Sequence, residues 1–151
     1  MAPDLPGTAA HLLQSRRFGP LEAPAERLVH FPAGLLGFEE LTEFLMHAPE
    51  GLHPIRFLVA CADPEIAFPI LPAALCAADY APQLPAEVRP LLGAGPADPL
   101  EVLALLTLVP ETGTLHANLR GPVVINAATR RGCQVVLHDS PYSLRHLLGA
   151  G

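Results

Sequence analysis

At 151 residues and 16.0 kDa the chain has the length of one domain, and with half of its residues apolar it can bury a sizeable single core. Fifteen acidic residues face nine basic ones, all arginine, for a formal charge of −6; the basic face that phosphate binding demands is missing on average, whereas a basic protein would be attracted. No apolar run approaches the roughly 18–20 residues that span a bilayer, and no positive segment precedes an apolar stretch at the start, so neither membrane nor secretion is expected and the cytoplasm is the default location.

Residues 1–13 are small, polar and proline-punctuated, which predicts a flexible N-terminal extension ahead of one domain over 14–148. Short strands are predicted at Gln14–Phe18 and Glu26–Phe31, with Gly19-Pro20 opening the link between them. In Glu39–Met46 the apolar Leu41, Phe44 and Leu45 stand three and four apart, which predicts one or two helical turns. Ile55–Ala60 and Ile66–Leu71 are apolar runs divided by the turn signal Asp63-Pro64, and read as a hairpin. The proline-rich middle, Asp79–Pro99, holds a predicted short helix over Leu84–Leu92, with Pro85 in its first turn and Gly93 after its end.

Val102–Val109 is the strongest strand signal, uniformly apolar, as expected of a strand buried on both faces. Thr114–Leu119 alternates apolar and polar residues. Val123–Ile125 and Val135–Leu137 then form two β-branched arms of a hairpin around Thr129-Arg130-Arg131-Gly132. A polar tail follows from Asp139 to His146. Eighteen prolines, against a usual frequency of ~5%, sit near strand ends as in Phe31-Pro32 and Val109-Pro110, where a missing N–H does least harm. About eight short strands with one or two short helices predict a mostly β single domain, a small antiparallel barrel or sandwich.

Catalytic and metal chemistry find little support. The seven histidines (11, 30, 47, 53, 116, 138 and 146) form no HxH, HxxxH or HExxH pair, so no local metal-ligand set is offered. His138, Asp139, Ser140, Ser143 and His146 include the residue types of a hydrolytic triad. Yet five residues within nine of an extended tail rarely align nucleophile, base and orienter. Asp139 and Ser140 read instead as a turn before Pro141, and Tyr142 as an anchor for the tail. Cys61, Cys76 and Cys133 are too far apart for a metal knuckle and read as small buried hydrophobes. No cofactor is implied, and no enzyme.

Three stretches carry a family resemblance: His30-Phe31-Pro32-Ala33-Gly34-Leu35-Leu36-Gly37-Phe38-Glu39-Glu40-Leu41, Asp63-Pro64-Glu65-Ile66-Ala67-Phe68, and the run from Asn118 through TRRGCQVVL to DSPYSLRH. With Arg17-Phe18-Gly19 ahead of them and Asp79-Tyr80 and Val102–Val109 in order between the second and third, the chain from Ser15 to Leu147 resembles the FliW family of flagellar assembly factors. Cys133 stands where that family commonly has a basic residue. The resemblance implies a protein–protein regulator that binds flagellin and CsrA, a small basic RNA-binding dimer that represses flagellin translation. Flagellin occupying the regulator frees CsrA to repress; export of flagellin releases the regulator to antagonise CsrA.

Charged turns and strand edges are the natural contact points, which nominates Asp63, Glu65, Asn126, Arg130, Arg131 and Tyr142 for partner binding. Asn126 and Tyr142 read equally well as buried structural residues. The competing function, a small β-barrel gripping RNA directly, would need a basic groove with stacking aromatics. This chain offers an acidic balance, no Trp and two Tyr.

Overall fold

The structure, a computed structural model, describes residues 11–150. Ten strands run β1 (His11–Ser15), β2 (Gly19–Ala23), β3 (Leu28–His30), β4 (Glu43–His47), β5 (Arg56–Ala60), β6 (Ala67–Pro72), β7 (Glu101–Val109), β8 (Thr114–Asn126), β9 (Arg131–Gln134) and β10 (His146–Ala150). Two one-turn helices, α1 (Ala73–Cys76) and α2 (Val88–Leu91), lie between β6 and β7. Strands β3 to β8 pair antiparallel in sequence order, and β9 closes the ring by pairing with β8 on one side and β3 on the other. The result is a closed seven-stranded barrel, parallel only at the β3–β9 seam. Closure leaves fewer bare edges than a sandwich would.

Side-chain alternation explains why the strands read as unbroken apolar runs. In β5, Leu58 and Ala60 join the barrel core with Phe31, Phe44, Ile70, Leu103 and Val123. Phe57 and Val59 point outward, where the β1–β2 hairpin covers them with Leu13, Leu21 and Ala23. Val124 likewise faces out beneath Val88 and Leu92 of the α2 segment. Ala104, Leu106 and Ala117 lie under Ala73 of α1, with Tyr80 and Tyr142 packed against them. A barrel wrapped by such covers has apolar residues on both faces of its wall.

That wrapping overturns the predicted helical turns at Glu39–Met46. Residues 43–47 are strand β4, with Phe44 in the barrel core and Leu45 under the β1–β2 hairpin, so a strand buried on both faces imitated a helical spacing. Strand β1 starts at His11, within the stretch assigned to the extension, and residues 1–10 lie outside the described residues. Arg16–Phe18 form a turn, closed by Phe18 N–H donating to the Ser15 hydroxyl, and Gly19-Pro20 open β2. The β5–β6 hairpin forms as expected, and the predicted helix at Leu84–Leu92 contracts to α2.

At the C-terminal hairpin the turn falls earlier than predicted. Arg131 and Gly132 belong to β9, and Val135–Leu137 continue beyond it, still bonded to β8 through Val135 N–H to the Pro122 carbonyl and Leu137 N–H to that of Arg120. Gly132 is there for closeness: a Cβ would lie 2.6 Å from the Phe31 ring. Thr114–Leu119 and Val123–Ile125 are one strand, β8, bulged opposite Leu103–Leu105. The Asn118 carboxamide oxygen holds the bulge by accepting from the N–H groups of Arg120 and Gly121. Strand β7 is buried on both faces at Leu103 and Ala104, but Thr107 and Leu108 are exposed. Strand β10, pairing with the start of β8, had no counterpart in the sequence reading.

Candidate interaction surfaces

The nominated residues fall in three separate places. Asp63 and Glu65 cap the exposed β5–β6 turn, where the Asp63 carboxylate accepts from Glu65 N–H at 3.2 Å. Glu65 accepts from Arg16 N–H at 3.0 Å, which sets the β1–β2 turn and its arginines beside this acidic loop. Glu43, at the start of β4, lies at the same end of the barrel, paired with His30 at 3.7 Å, and Glu39 and Glu40 precede it in the chain. Glu43, Asp63 and Glu65 therefore gather at one end, partly offset by Arg16 and Arg17.

Asn126, Arg130 and Arg131 surround the β8–β9 turn. Asn126 is only 3% exposed; its amide donates to the Leu92 carbonyl at 2.9 Å and its oxygen accepts from Ala128 N–H at 3.0 Å. Of its two readings, the structural one matches these contacts: Asn126 ties the turn to the end of α2. Arg130 takes a left-handed φ of 57° and donates to the Ala25 carbonyl at 2.8 Å, while Arg131 is exposed. Arg130 also borders a cavity of about 380 Å³ at the opposite end of β4 and β5 from the carboxylates. Arg27 and Arg56 line it too, with Arg56 paired to Glu101. Glu26 lines the same cavity, so this end carries both signs.

Tyr142 lies apart from both groups, half-buried against Tyr80 with ring centroids 4.5 Å apart. Its hydroxyl accepts from Ala81 N–H at 3.0 Å, and the Tyr80 hydroxyl donates to the Leu119 carbonyl at 2.7 Å. The pair pins the tail to the proline-rich middle. Burial first, then the neighbouring Tyr142 and Cys76, push the Tyr80 phenol up to about 12 from 10.0. Folding therefore favours the protonated phenol, a contribution complete below pH 10 and lost as pH rises through 12. Tyrosinate absorbance and circular dichroism recorded together should show Tyr80 ionising as the fold is lost; ionisation near 10 in a still-native protein would contradict the packing.

His138, Asp139 and Ser140 line one cavity of about 440 Å³, but among the described residues no hydrogen bond links the triad-like residues of the tail to one another. Ser140 and Ser143 hydroxyls accept from the backbone N–H groups of Tyr142 and Arg145, and the His146 imidazole meets the Cys76 carbonyl at 3.1 Å. Burial raises the thiol pKa of all three cysteines, that of Cys61 to about 11 with help from Glu43, so none is poised as a thiolate. Among the described residues no group of three or more His, Cys, Asp or Glu could hold a metal ion.

A fourth surface escaped the sequence reading. A groove of about 480 Å³ lies between the Ala33–Leu36 loop, the α2 segment and residues 133–138 beyond the barrel seam. It exists because β3 stops at His30 while the β9 segment runs on, a long-range mismatch with no local signature.

The sequence model of one family, described as FliW protein, matches residues 12–148. The chain belongs to the FliW family. It is similar to the flagellar assembly factor FliW of Thermotoga neapolitana, 34% identical over 140 residues covering 91% of this chain and 93% of that one. It is also similar to the FliW of Geotalea uraniireducens, 35% identical over 86% of this chain and 79% of that one, and of Moorella thermoacetica, 35% identical over 90% and 87%. A solved structure, the crystal structure of the flagellar assembly factor FliW, superposes with a TM-score of 0.83 at 25% identity, covering 91% of this chain and 96% of that one. The FliW-like block His30–Leu41 leaves the end of β3 and forms one wall of the groove.

Proposed function

We propose that this chain is a partner-switch regulator of flagellar assembly in the cytoplasm: it holds flagellin and, when flagellin is exported, binds CsrA and relieves repression of flagellin translation. Family membership carries the reading, since relatives matching nearly the whole chain are flagellar assembly factors. The charge distribution supports it. The net charge is −6, and Glu43, Asp63 and Glu65 gather at one barrel end, with Glu39 and Glu40 exposed in the segment that leads into β4, a surface suited to a small basic dimer. Seated beside an RNA path, that end would repel phosphate without occupying the RNA site. Two partners that exclude each other weaken each other's apparent binding by mass action.

Titration calorimetry with flagellin and with CsrA, each alone and then in the presence of the other, tests the switch. Tight binding of both with mutual displacement is expected. Binding of flagellin alone would leave a chaperone-like holder, and binding of neither would end the reading. Replacing the five carboxylates with their amides should weaken antagonism of CsrA–RNA binding at low salt and matter less at high salt. Unchanged antagonism at low salt would remove the electrostatic part.

A further inference from the structure

One wall of the groove beside the barrel seam is an open strand edge. On the far side of residues 131–137 the odd-numbered residues bond to β8, as in Val135 N–H to Pro122 and Leu137 N–H to Arg120. Gln134 and Val136 therefore turn their N–H and C=O groups the other way. There β3 has already ended at its single bridge, His30 to Arg131, and Phe31 N–H has turned back to the Thr42 carbonyl. Among the described residues the backbone groups of Gln134 and Val136 on this side have no partner. An unpaired strand edge is a template for an added strand.

The walls fit the same occupant. Leu36 and Leu91, 60% and 45% exposed, both line the groove with the apolar Leu35 and Val88, and Leu36 N–H donates to the Gln134 side-chain oxygen at 2.9 Å, which holds the loop beside the edge. Glu39 and Glu87 carry the charge of the rim, and no arginine lines the groove. Arg89, on the same helix as Leu91, is committed elsewhere, donating to the carbonyls of Gly95 and Asp98.

We propose that this groove binds an extended basic peptide segment, which adds as a strand along Gln134–Val136, sets alternate apolar side chains against the Leu36 and Leu91 side chains, and brings its cationic residues to Glu39 and Glu87. The inference stands on the strand edge and the rim charges and does not depend on either partner proposed above.

The test uses the full chain and a fluorescein-labelled nine-residue probe alternating valine and lysine. Two relatives of the probe serve as comparisons: one N-methylated at its central amides, one with glutamate for lysine. Fluorescence anisotropy should show saturable binding of the lysine probe, at least tenfold weaker for either comparison. Leu36→Glu should weaken it similarly, and Glu87→Gln severalfold, less so at high salt. Both positions are exposed, so the fold is spared. Amide NMR should show the Gln134 and Val136 signals shifting and their exchange slowing on binding. Absent binding, indifference to N-methylation, or shifts confined to another face would overturn the proposal. So would slow exchange of these amides in free protein that sediments as a dimer, which would give the edge to a second copy.

Discussion

Phe44→Ala is expected to lower the unfolding free energy by about 3–5 kcal/mol, the range for emptying a buried aromatic site. Phe44 is fully buried, with its ring set edge-on to Phe31 at 5.3 Å and to Phe68 at 6.1 Å. It also sits on the strand that the apolar spacing suggested would be helical, flanked by Leu45 facing the opposite side of the wall. The loss combines apolar transfer with a cavity that a closed barrel cannot collapse, because six neighbouring strands hold its radius. Against a typical stability of about 5–15 kcal/mol it would remove a large share. Urea denaturation with tryptophan-free optical probes (circular dichroism suffices) reads it directly. Phe44→Leu, which keeps much of the volume, should lose far less. A loss under about 1 kcal/mol for the alanine variant would mean the ring does not fill the core.

Gly34→Ala is expected to destabilise by about 3 kcal/mol, for two reasons that add. The residue holds φ at +66°, where a Cβ is penalised. A Cβ there would also lie 2.5 Å from the Phe38 carbonyl oxygen and 2.7 Å from the Glu39 Cα, both backbone atoms that cannot swing aside. The turn it closes, Gly34 N–H to the Phe31 carbonyl, places buried Leu35 in the barrel core and exposed Leu36 on the groove rim. Thermal and urea unfolding should both report the loss. In the native fraction that remains, the peptide probe should bind more weakly as the rim shifts. An alanine variant as stable as the parent would show that the loop does not take this path.

The fold class, the β5–β6 hairpin and the family are legible in the order of residues alone, because each rests on local pattern: alternation, turn residues at fixed offsets, and motif blocks in order. Asp63-Pro64 likewise announces its turn wherever the strands go, whereas the turn at the arginine pair falls earlier, with Arg131 already in β9. The boundaries misjudged from sequence share one cause. Leu41, Phe44 and Leu45 could satisfy a helix or a doubly buried strand, and only the β1–β2 hairpin lying over Leu45 and Phe57 decides between them. Val123 and Leu119 could end two strands or share one, and only the bulge held by Asn118 joins them. The burial of Asn126, the meeting of Tyr80 with Tyr142, and the open edge at Gln134 and Val136 all depend on pairs far apart in the chain. Single-residue preferences cannot encode such pairings. The first and last of them arise when the β8–β9–β3 seam closes the barrel, and closure is a property of the whole ring.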